Sequence, residues 1–162
     1  MSGARRASTT SPTQRTLARL RKQGMLCQVV ERWISYPPAA RKPGMPPGVR
    51  IDLFGFIDGI ALDLNALPGH RIIGWQACRA ADISAHLLKI QVECEQKARA
   101  WLEAGARIQV WGWRALKVER GAARVKWEPD VREVVIYQGR LINGKVEPPV
   151  AVEPSARVEV EA

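Results

Sequence analysis

The chain is poor in cysteine, in acidic residues and in long apolar runs, and each shortage excludes a class of protein. Its three cysteines are an odd number without the spacing of metal ligands, which argues against a disulfide framework and against a zinc knuckle. No apolar run approaches the roughly 18 residues of a membrane span, and the first residues lack the apolar stretch of a signal peptide. We therefore expect a cytoplasmic protein without a membrane partner.

The shortage of acidic residues leaves a strongly positive balance, with 25 Lys and Arg against 16 Asp and Glu and a net charge of +9. This charge favours a polyanionic partner, most plausibly nucleic acid. A solvated, arginine-rich surface would give the same balance, so charge alone leaves both interpretations open. The length of 162 residues and a hydrophobic fraction of 46% suit one domain with a single core.

Both ends of the chain lack the patterning of a packed element. Residues 1–10 are small, polar and basic, and 146–162 are a Pro, Val and Glu pattern. Such compositions predict a disordered basic tail at the start and a flexible tail at the end. The segment 11–145 between them is predicted to form the single domain.

Order begins with a helix over 12–23, because Ser11 at the N-cap and Gln14 three residues on make a capping box. A strand over 25–34 follows, since the segment is rich in β-branched and aromatic residues. The segment 37–48 has too many prolines and glycines for a regular element and is predicted to be a long basic loop.

The rest of the chain predicts two strands joined by a turn, a long helix that starts at an Asp82 N-cap, and further strands with turns between them. In chain order these strands and this helix cover 50–63, 71–79, 82–105, 107–116, 124–127 and 131–137, and a further turn is predicted at Asn143-Gly144. The strand that follows the long helix is expected to run parallel to the strand before it, because a helix crossover connects them.

The two central strands carry the polar residues of greatest interest. Asp58 lies within an apolar run, where a carboxylate is costly unless a counter-charge or a metal accompanies it. Gln76 and Cys78 share one face of the next strand. Asp52 shares the face of Asp58 if the first strand is unbroken; the alternative is a charged residue at a strand entrance, paired with Arg50.

This order of elements resembles the PD-(D/E)XK nuclease superfamily, and within it the Mrr-type and Holliday-junction-resolvase-like branch. FIDGIALD (56–63) and IIGWQAC (72–78) carry the resemblance. Asp58 falls on the family's aspartate and Gln76 on its Glu or Gln position, whereas Cys78 stands where the family has lysine. The resemblance implies an α/β fold with a restriction-endonuclease-like αβββαβ core, a mixed central sheet flanked by helices, and here a C-terminal β-hairpin extension.

The resemblance also implies a site that binds Mg²⁺ or Mn²⁺ through Asp58, Gln76 and Asp52 and hydrolyses DNA. Carboxylate and amide oxygens suit these hard ions, whereas a thiolate prefers softer ones. Glu31 is a further acid that the resemblance brings towards this site. DNA is favoured over RNA as the partner, and a homodimer is a candidate assembly because many relatives act as dimers.

The role of the missing lysine has three candidates: Lys89, which we prefer as the catalytic residue, His86 and Arg79. The competing interpretation of Lys89 is a solvated side chain on the outer face of the long helix. Contacts to nucleic acid are predicted for five residues of the loop, the strands and the helix: Arg41, Lys42, Arg50, Arg79 and His86. Of the six tryptophans, most are expected to pack in the core, with Trp33 and Trp127 left open between packing and stacking on bases.

Two functions of different classes remain open after the sequence alone. One is a metal-dependent endonuclease acting on DNA, with branched or otherwise structured DNA as a candidate substrate. The other is a catalytically inactive nucleic-acid-binding or regulatory module that keeps the nuclease fold. A third interpretation beside these two, a structural protein without a nucleic-acid role, would need basic charges scattered evenly over the surface.

Overall fold

The computed structural model describes residues 10–121 and 123–148. In chain order its helices and strands are α1 Pro12–Lys22, β1 Leu26–Val29, β2 Arg32–Ser35, β3 Gly48–Ile51, β4 Gly59–Leu62, β5 Ile72–Arg79, α2 Ile83–Leu88, α3 Glu95–Glu103, β6 Arg107–Lys117, β7 Val125–Tyr137 and β8 Arg140–Val146. The predicted tails, 1–10 and 146–162, lie almost wholly outside the described residues.

Six of the strands form one mixed sheet in the order β1-β4-β5-β6-β7-β8. β5 and β6 are parallel, with Gln76 opposite Val110, and the other neighbouring pairs are antiparallel. The predicted α/β class, the mixed central sheet and the parallel strand after the crossover are therefore confirmed. β2 and β3 form a separate two-stranded ribbon.

The sheet separates two apolar layers. On one face α1 packs Leu17 and Leu20 against three buried tryptophans, Trp75, Trp111 and Trp113. On the other face α2 and the chain that follows pack against the strands, with a core that includes Ile57, Ile83, Leu87, Ile90 and Val110. The prediction that most tryptophans are core residues holds for those on β5 and β6.

Two strand glycines let the helices approach the sheet closely. A Cβ added at Gly74 would lie 3.0 Å from the ring of Trp101, and one at Gly112 would lie 3.0 Å from Ile83. Both distances are shorter than ordinary van der Waals contact, so the helices sit directly on the strand backbone. This close approach brings the residues between α2 and α3 next to β5.

The helix predictions are confirmed at the first helix and wrong in the second. Ser11 Oγ accepts a hydrogen bond from the backbone N–H of Gln14 at 3.2 Å, as the capping box predicts. The predicted single helix over 82–105 is instead α2, a π-helical turn at Lys89–Glu93 and α3. Asp82 is the N-cap residue of α2, as predicted, but its carboxylate makes no capping hydrogen bond and accepts one from Arg79 Nε at 2.8 Å instead.

Two strands predicted in the first half of the chain, 25–34 and 50–63, are each interrupted, whereas the predicted strand 71–79 is confirmed as β5. The segment 25–34 breaks after β1 because the N–H groups of Val30 and Glu31 both donate to the carbonyl of Asp58, at 2.8 and 3.1 Å, and the chain then leaves for the ribbon. The segment 50–63 breaks at a tight turn, where Phe54 and Gly55 have φ of 55° and 85°. Strand pairing cannot continue through such angles.

The second half of the chain forms longer strands than the pattern predicts. The segments 124–127 and 131–137 belong to one strand, β7. Asn143-Gly144 is not a turn but lies within β8, where Asn143 pairs with Val134. The turn is at Gln138-Gly139, whose positive φ values of 48° and 73° suit a two-residue hairpin. The loop over 37–48 contains one short 3₁₀ turn, Pro38–Ala40.

Candidate metal centre

The backbone of Asp58 is held by hydrogen bonds to two neighbouring segments of the chain. It lies directly before β4, its N–H donates to the carbonyl of Trp75 at 2.9 Å, and its own carbonyl accepts from Val30 and Glu31. Three neighbouring strand segments therefore meet at this residue. The following Gly59 has no room for a Cβ, because the ring of Trp75 occupies that space, so Asp58 has little freedom to move.

The Asp58 carboxyl is buried, with 5% of the residue exposed. Oδ2 accepts a hydrogen bond from the backbone N–H of Ala77 at 2.8 Å, which stabilises the charged form. Burial outweighs that bond, and together with the nearby charges of Asp52 and Glu31, which Lys89 opposes, it raises the pKa of Asp58 to about 7. At neutral pH this group is poised between its two protonation states.

Three carboxylates converge at this point. Oxygens of Glu31, Asp52 and Asp58 lie within 4.8 Å of one another. The salt bridges to them come from Lys89, whose Nζ is 3.5 Å from Asp52 Oδ2, and from Arg50, 3.5 Å from Glu31 Oε1. Like charges this close repel, and a compact cation between the oxygens would stabilise the group.

The β2–β3 ribbon brings two of the three acids together. Glu31 directly precedes β2 and Asp52 directly follows β3, and the ribbon starts with Arg32 opposite Ile51. The acids thus lie side by side at its base. The resemblance brings Glu31 towards this site, but the predicted metal ligands do not include it. The signal for its convergence with Asp52 is the proline-rich segment between them, which allows the ribbon to turn back.

The turn after Asp52 is strained and is held by packing. Phe54 adopts a positive φ, a conformation that costs a non-glycine residue on the order of 1–3 kcal/mol. Its ring packs edge-on against Trp101 at 6.0 Å. Gly55 donates its N–H to the Asp52 carbonyl at 3.1 Å. These contacts fix the position of Asp52 against α3.

Gln76 adds an amide to the acidic group. The residue is 3% exposed, and its Nε2 lies 3.5 Å from Asp52 Oδ2. Its Oε1 is buried and has no hydrogen-bond partner among the described residues. A buried carbonyl oxygen without a donor is costly, and a bound cation would satisfy it. The structure thus brings together the predicted ligands Asp58, Asp52 and Gln76.

Lys89 is the first residue of the π-helical turn, in which the N–H of Cys94 donates to the Lys89 carbonyl at 2.9 Å. Such turns are rare and occur frequently at functional sites. With 34% of its side chain exposed and Nζ next to Asp52, Lys89 is not the solvated outer-face lysine of the competing interpretation.

The other two lysine substitutes are placed differently. Arg79 is largely exposed and binds Asp82, away from the three acids. His86 is half-buried, and burial lowers its pKa, with Lys89 adding to the effect and Asp52 opposing it. Its Nδ1 has no hydrogen-bond partner among the described residues. Of the three, Lys89 is the one with a salt bridge to the centre.

Cys78 shares the face of Gln76, as predicted, but lies in the apolar layer under α2 with Ile83 and Leu87. Burial raises the pKa of its thiol to about 12, and the charges of Asp82 and Asp58 add to the shift. The side chain is therefore a neutral thiol at physiological pH and packs as a small apolar residue.

The basic residues predicted to contact nucleic acid lie on several elements. Arg41 and Lys42 are exposed on the β2–β3 connection, where Arg41 Nε donates to the Tyr36 carbonyl at 3.0 Å. Arg50 lies on β3 and pairs with Glu31. The alternative that Arg50 pairs with Asp52 is therefore wrong, since Asp52 contacts Lys89 instead.

Comparison with models of protein families, with curated proteins and with solved structures finds no match for this chain. Among the described residues, no helix is long and apolar enough to cross a membrane.

Proposed function

We propose that the protein is a metal-dependent endonuclease that uses Mg²⁺ or Mn²⁺ to hydrolyse DNA phosphodiester bonds, with branched or otherwise structured DNA as the candidate substrate. One observation carries the proposal: three carboxylates converge beside the buried amide of Gln76, whose oxygen has no hydrogen-bond partner in the part of the chain that the structure describes. A lysine at the edge of this group completes the residue types that phosphodiester hydrolysis needs.

The topology supports a PD-(D/E)XK relationship. Without the ribbon, the order is one helix, three antiparallel strands, a helical crossover and a parallel strand: α1, β1, β4, β5, the segment from α2 to α3, and β6. Asp58 directly precedes the second of these strands and Gln76 lies on the third, which agrees with the positions that the motif assigns to them. On this proposal the β2–β3 ribbon is an insertion that contributes Glu31 and Asp52.

The donor set fits a hard divalent ion. Glu31, Asp52, Asp58 and the Gln76 amide oxygen would hold it, because Mg²⁺ and Mn²⁺ prefer carboxylate and carbonyl oxygens. When bound, such an ion neutralises charge on the phosphoryl oxygens and lowers the pKa of a coordinated water. Cys78 has no part in this set because its thiol is protonated and packed under α2.

Lys89 has the role that its position allows. Its ammonium group lies 3.5 Å from Asp52 Oδ2, so a phosphate bound at the acidic group would be within reach of the same side chain. There it would donate hydrogen bonds to a phosphoryl oxygen and stabilise the charge that grows during the reaction. Asp52, as the anionic partner, orients the ammonium towards the site.

A catalytically inactive nucleic-acid-binding or regulatory module is the second candidate. It is favoured by the departures from the motif, since Gln76 supplies no charge and β5 carries a buried thiol at the lysine position. The two candidates differ in whether the acidic group supports cleavage, and they agree on the nucleic-acid partner.

The test is cleavage of linear, single-stranded and four-way-junction DNA by the purified protein with Mg²⁺ or Mn²⁺, alongside Asp58→Ala. Glu103→Ala, which removes an exposed carboxylate at the end of α3, is the matched control. We expect cleavage by the parent and the control but not by Asp58→Ala. Metal-independent cleavage, or equal cleavage by Asp58→Ala, would contradict the proposal. No cleavage, with DNA binding that Asp58→Ala leaves intact, would favour the inactive module.

A further inference from the structure

The strands β6 and β7 continue past the end of the strand that carries Gln76. β5 ends at Arg79 opposite Trp113, whereas β6 stays paired with β7 as far as Lys117 opposite Val125. The side chains of β6 are buried from 108 to 113, and every described residue from 114 to 127 is exposed. This stretch, 114–127, is called the distal hairpin below.

The distal hairpin with its last flanking residue, Glu128, carries five basic and two acidic residues: Arg114, Lys117, Arg120, Arg124 and Lys126 against Glu119 and Glu128. One ion pair forms within it, between Lys126 and Glu128 at 3.2 Å. Among the described residues, the other four basic side chains make no salt bridge. A projecting element with this excess of unpaired positive charge complements a polyanion.

The register orients part of this charge towards the candidate centre. Gln76 lies opposite Val110, and side chains alternate along β6, so Arg114 lies on the same face of the sheet as Gln76. Lys126 shares that face, because it lies opposite Leu116. Arg114 is four residues past Val110, or about 13 Å along the strand, and Lys117, on the opposite face near the tip of the hairpin, lies about 10 Å further.

The opposite face attaches the distal hairpin to the body of the protein. Trp127 is partly exposed, and the guanidinium of Arg15 on α1 lies 3.5 Å from the centre of its ring. A cation–π contact of this kind is worth about 0.5–1 kcal/mol at an exposed site. This contact holds the hairpin in place relative to α1. It also covers the ring of Trp127, one of the two tryptophans for which the sequence leaves base stacking open.

We propose that the distal hairpin is a second contact for nucleic acid, in which Arg114, Lys117 and Arg124 bind backbone phosphates of the duplex that flanks the cleavage site. Distances of about 13–23 Å from the level of Gln76 correspond to about four to seven base pairs at 3.4 Å per base pair. The acidic centre repels the phosphate backbone, so the basic hairpin supplies binding energy that the centre lacks. The inference rests on the proposed function for its partner.

The test measures binding of a fluorescein-labelled duplex by fluorescence anisotropy over a series of salt concentrations, without divalent cations. The variant is Arg114→Gln/Lys117→Gln/Arg124→Gln. The matched control is Lys97→Gln/Arg140→Gln/Lys145→Gln, which removes the same charge from exposed positions on α3 and β8. The slope of log K against log salt is negative, and each lost phosphate contact reduces its magnitude by about 0.9. For the three contacts we therefore expect the magnitude of the slope to fall by about 2.7 in the hairpin variant. The control should keep the parent's slope.

A hairpin variant with the parent's slope would overturn the inference, and so would an equal loss in the control or a parent that binds no duplex. A change in oligomeric state in place of a change in slope would also overturn it, because the hairpin would then serve a second copy of the chain. Circular dichroism establishes that each variant is folded, and Arg114→Lys, which keeps the charge, should keep the slope.

The outcome is separable from that of the cleavage test. A protein that cleaves no DNA but loses slope in the hairpin variant would retain the second contact and lose the nuclease. A protein that cleaves DNA but keeps the parent's slope in the hairpin variant would retain the nuclease and lose the second contact.

Discussion

The acidic centre and the distal hairpin carry opposite charge in opposite surroundings. Asp58 is almost completely buried and Glu31 and Asp52 mostly so, whereas the basic side chains of the hairpin lie in solvent. Buried charge must be compensated within the structure, but exposed charge is compensated by water and salt until a partner arrives. The comparison supports the proposals that a small ion binds at the centre and that a large polyanion binds at the hairpin.

The two regions are also held in different ways. The centre depends on a locked backbone at Asp58, a strained turn at Phe54 and a π-helical turn at Lys89. The hairpin depends on strand pairing and on one stacked arginine. Substitutions in the centre should therefore change stability together with activity, whereas those in the hairpin should change binding alone.

The largest expected effect is the pH dependence of stability in the metal-free protein. The folded pKa of Asp58, about 7, lies above its usual 3.8. Between these values the unfolded chain releases a proton that the folded protein keeps. Asp58 therefore contributes stability that is fully present below about pH 4 and is lost as the pH rises to about 7, on the order of 4 kcal/mol in total.

Thermal unfolding of metal-free protein across this range checks the effect, with Asp58→Asn as the comparison. The variant has no titrating group at this position, so its profile should lack this fall in stability. Identical profiles for the two proteins would mean that burial does not raise the pKa of Asp58 in the folded protein. Added Mg²⁺ should stabilise the parent most above pH 7, since a ligand must be deprotonated.

The next effect is on the rate of cleavage. Lys89→Met removes the ammonium group beside Asp52 and keeps most of the apolar stem. We expect cleavage to fall roughly 100- to 1000-fold, the cost of losing one group that stabilises charge in the transition state. Single-turnover cleavage at saturating protein measures it.

Lys97→Met is the control, because Lys97 is exposed on α3 and makes no salt bridge among the described residues. Duplex affinity should change little in either variant, since Lys89 is one charge among many. A Lys89→Met variant that cleaves at the parent's rate would show that Lys89 does not take the role of the missing lysine.

The site was easier to predict than the path of the chain that builds it. Asp58 and Gln76 are identifiable because they are polar residues within apolar strands, a pattern that local sequence displays. The ribbon is not, because Glu31 and Asp52 are 21 positions apart in the sequence and only strand register brings them together. The positive φ of Phe54 was likewise hidden, since tertiary packing on Trp101 overrides the preference of an aromatic residue.

The π-helical turn could not be predicted from periodicity. The apolar spacing through Ile90 and Cys94 fits a regular helix, and the insertion of a wider turn depends on how α2 and α3 each pack on Gly112 and Gly74. Lys89 was predicted from the family resemblance, as a lysine on the helix that follows β5, and it approaches Asp52 from the first position of that turn. β7 was predicted as two separate strands, 124–127 and 131–137, because Glu128, Pro129 and Asp130 interrupt the apolar pattern.

The smallest expected effect is at Cys78, the position where the motif would have lysine. The thiol is neutral and packs under α2, so Cys78→Ala should cost about 1 kcal/mol of stability and leave cleavage within about twofold of the parent. Cys27→Ala is the matched control, because Cys27 is equally buried on the opposite face of the sheet. Unfolding in denaturant and single-turnover cleavage measure the two effects. If Cys78→Ala alone abolished cleavage, the thiol would have a chemical role, and Cys78 would belong to the acidic centre and not to the apolar layer beneath α2.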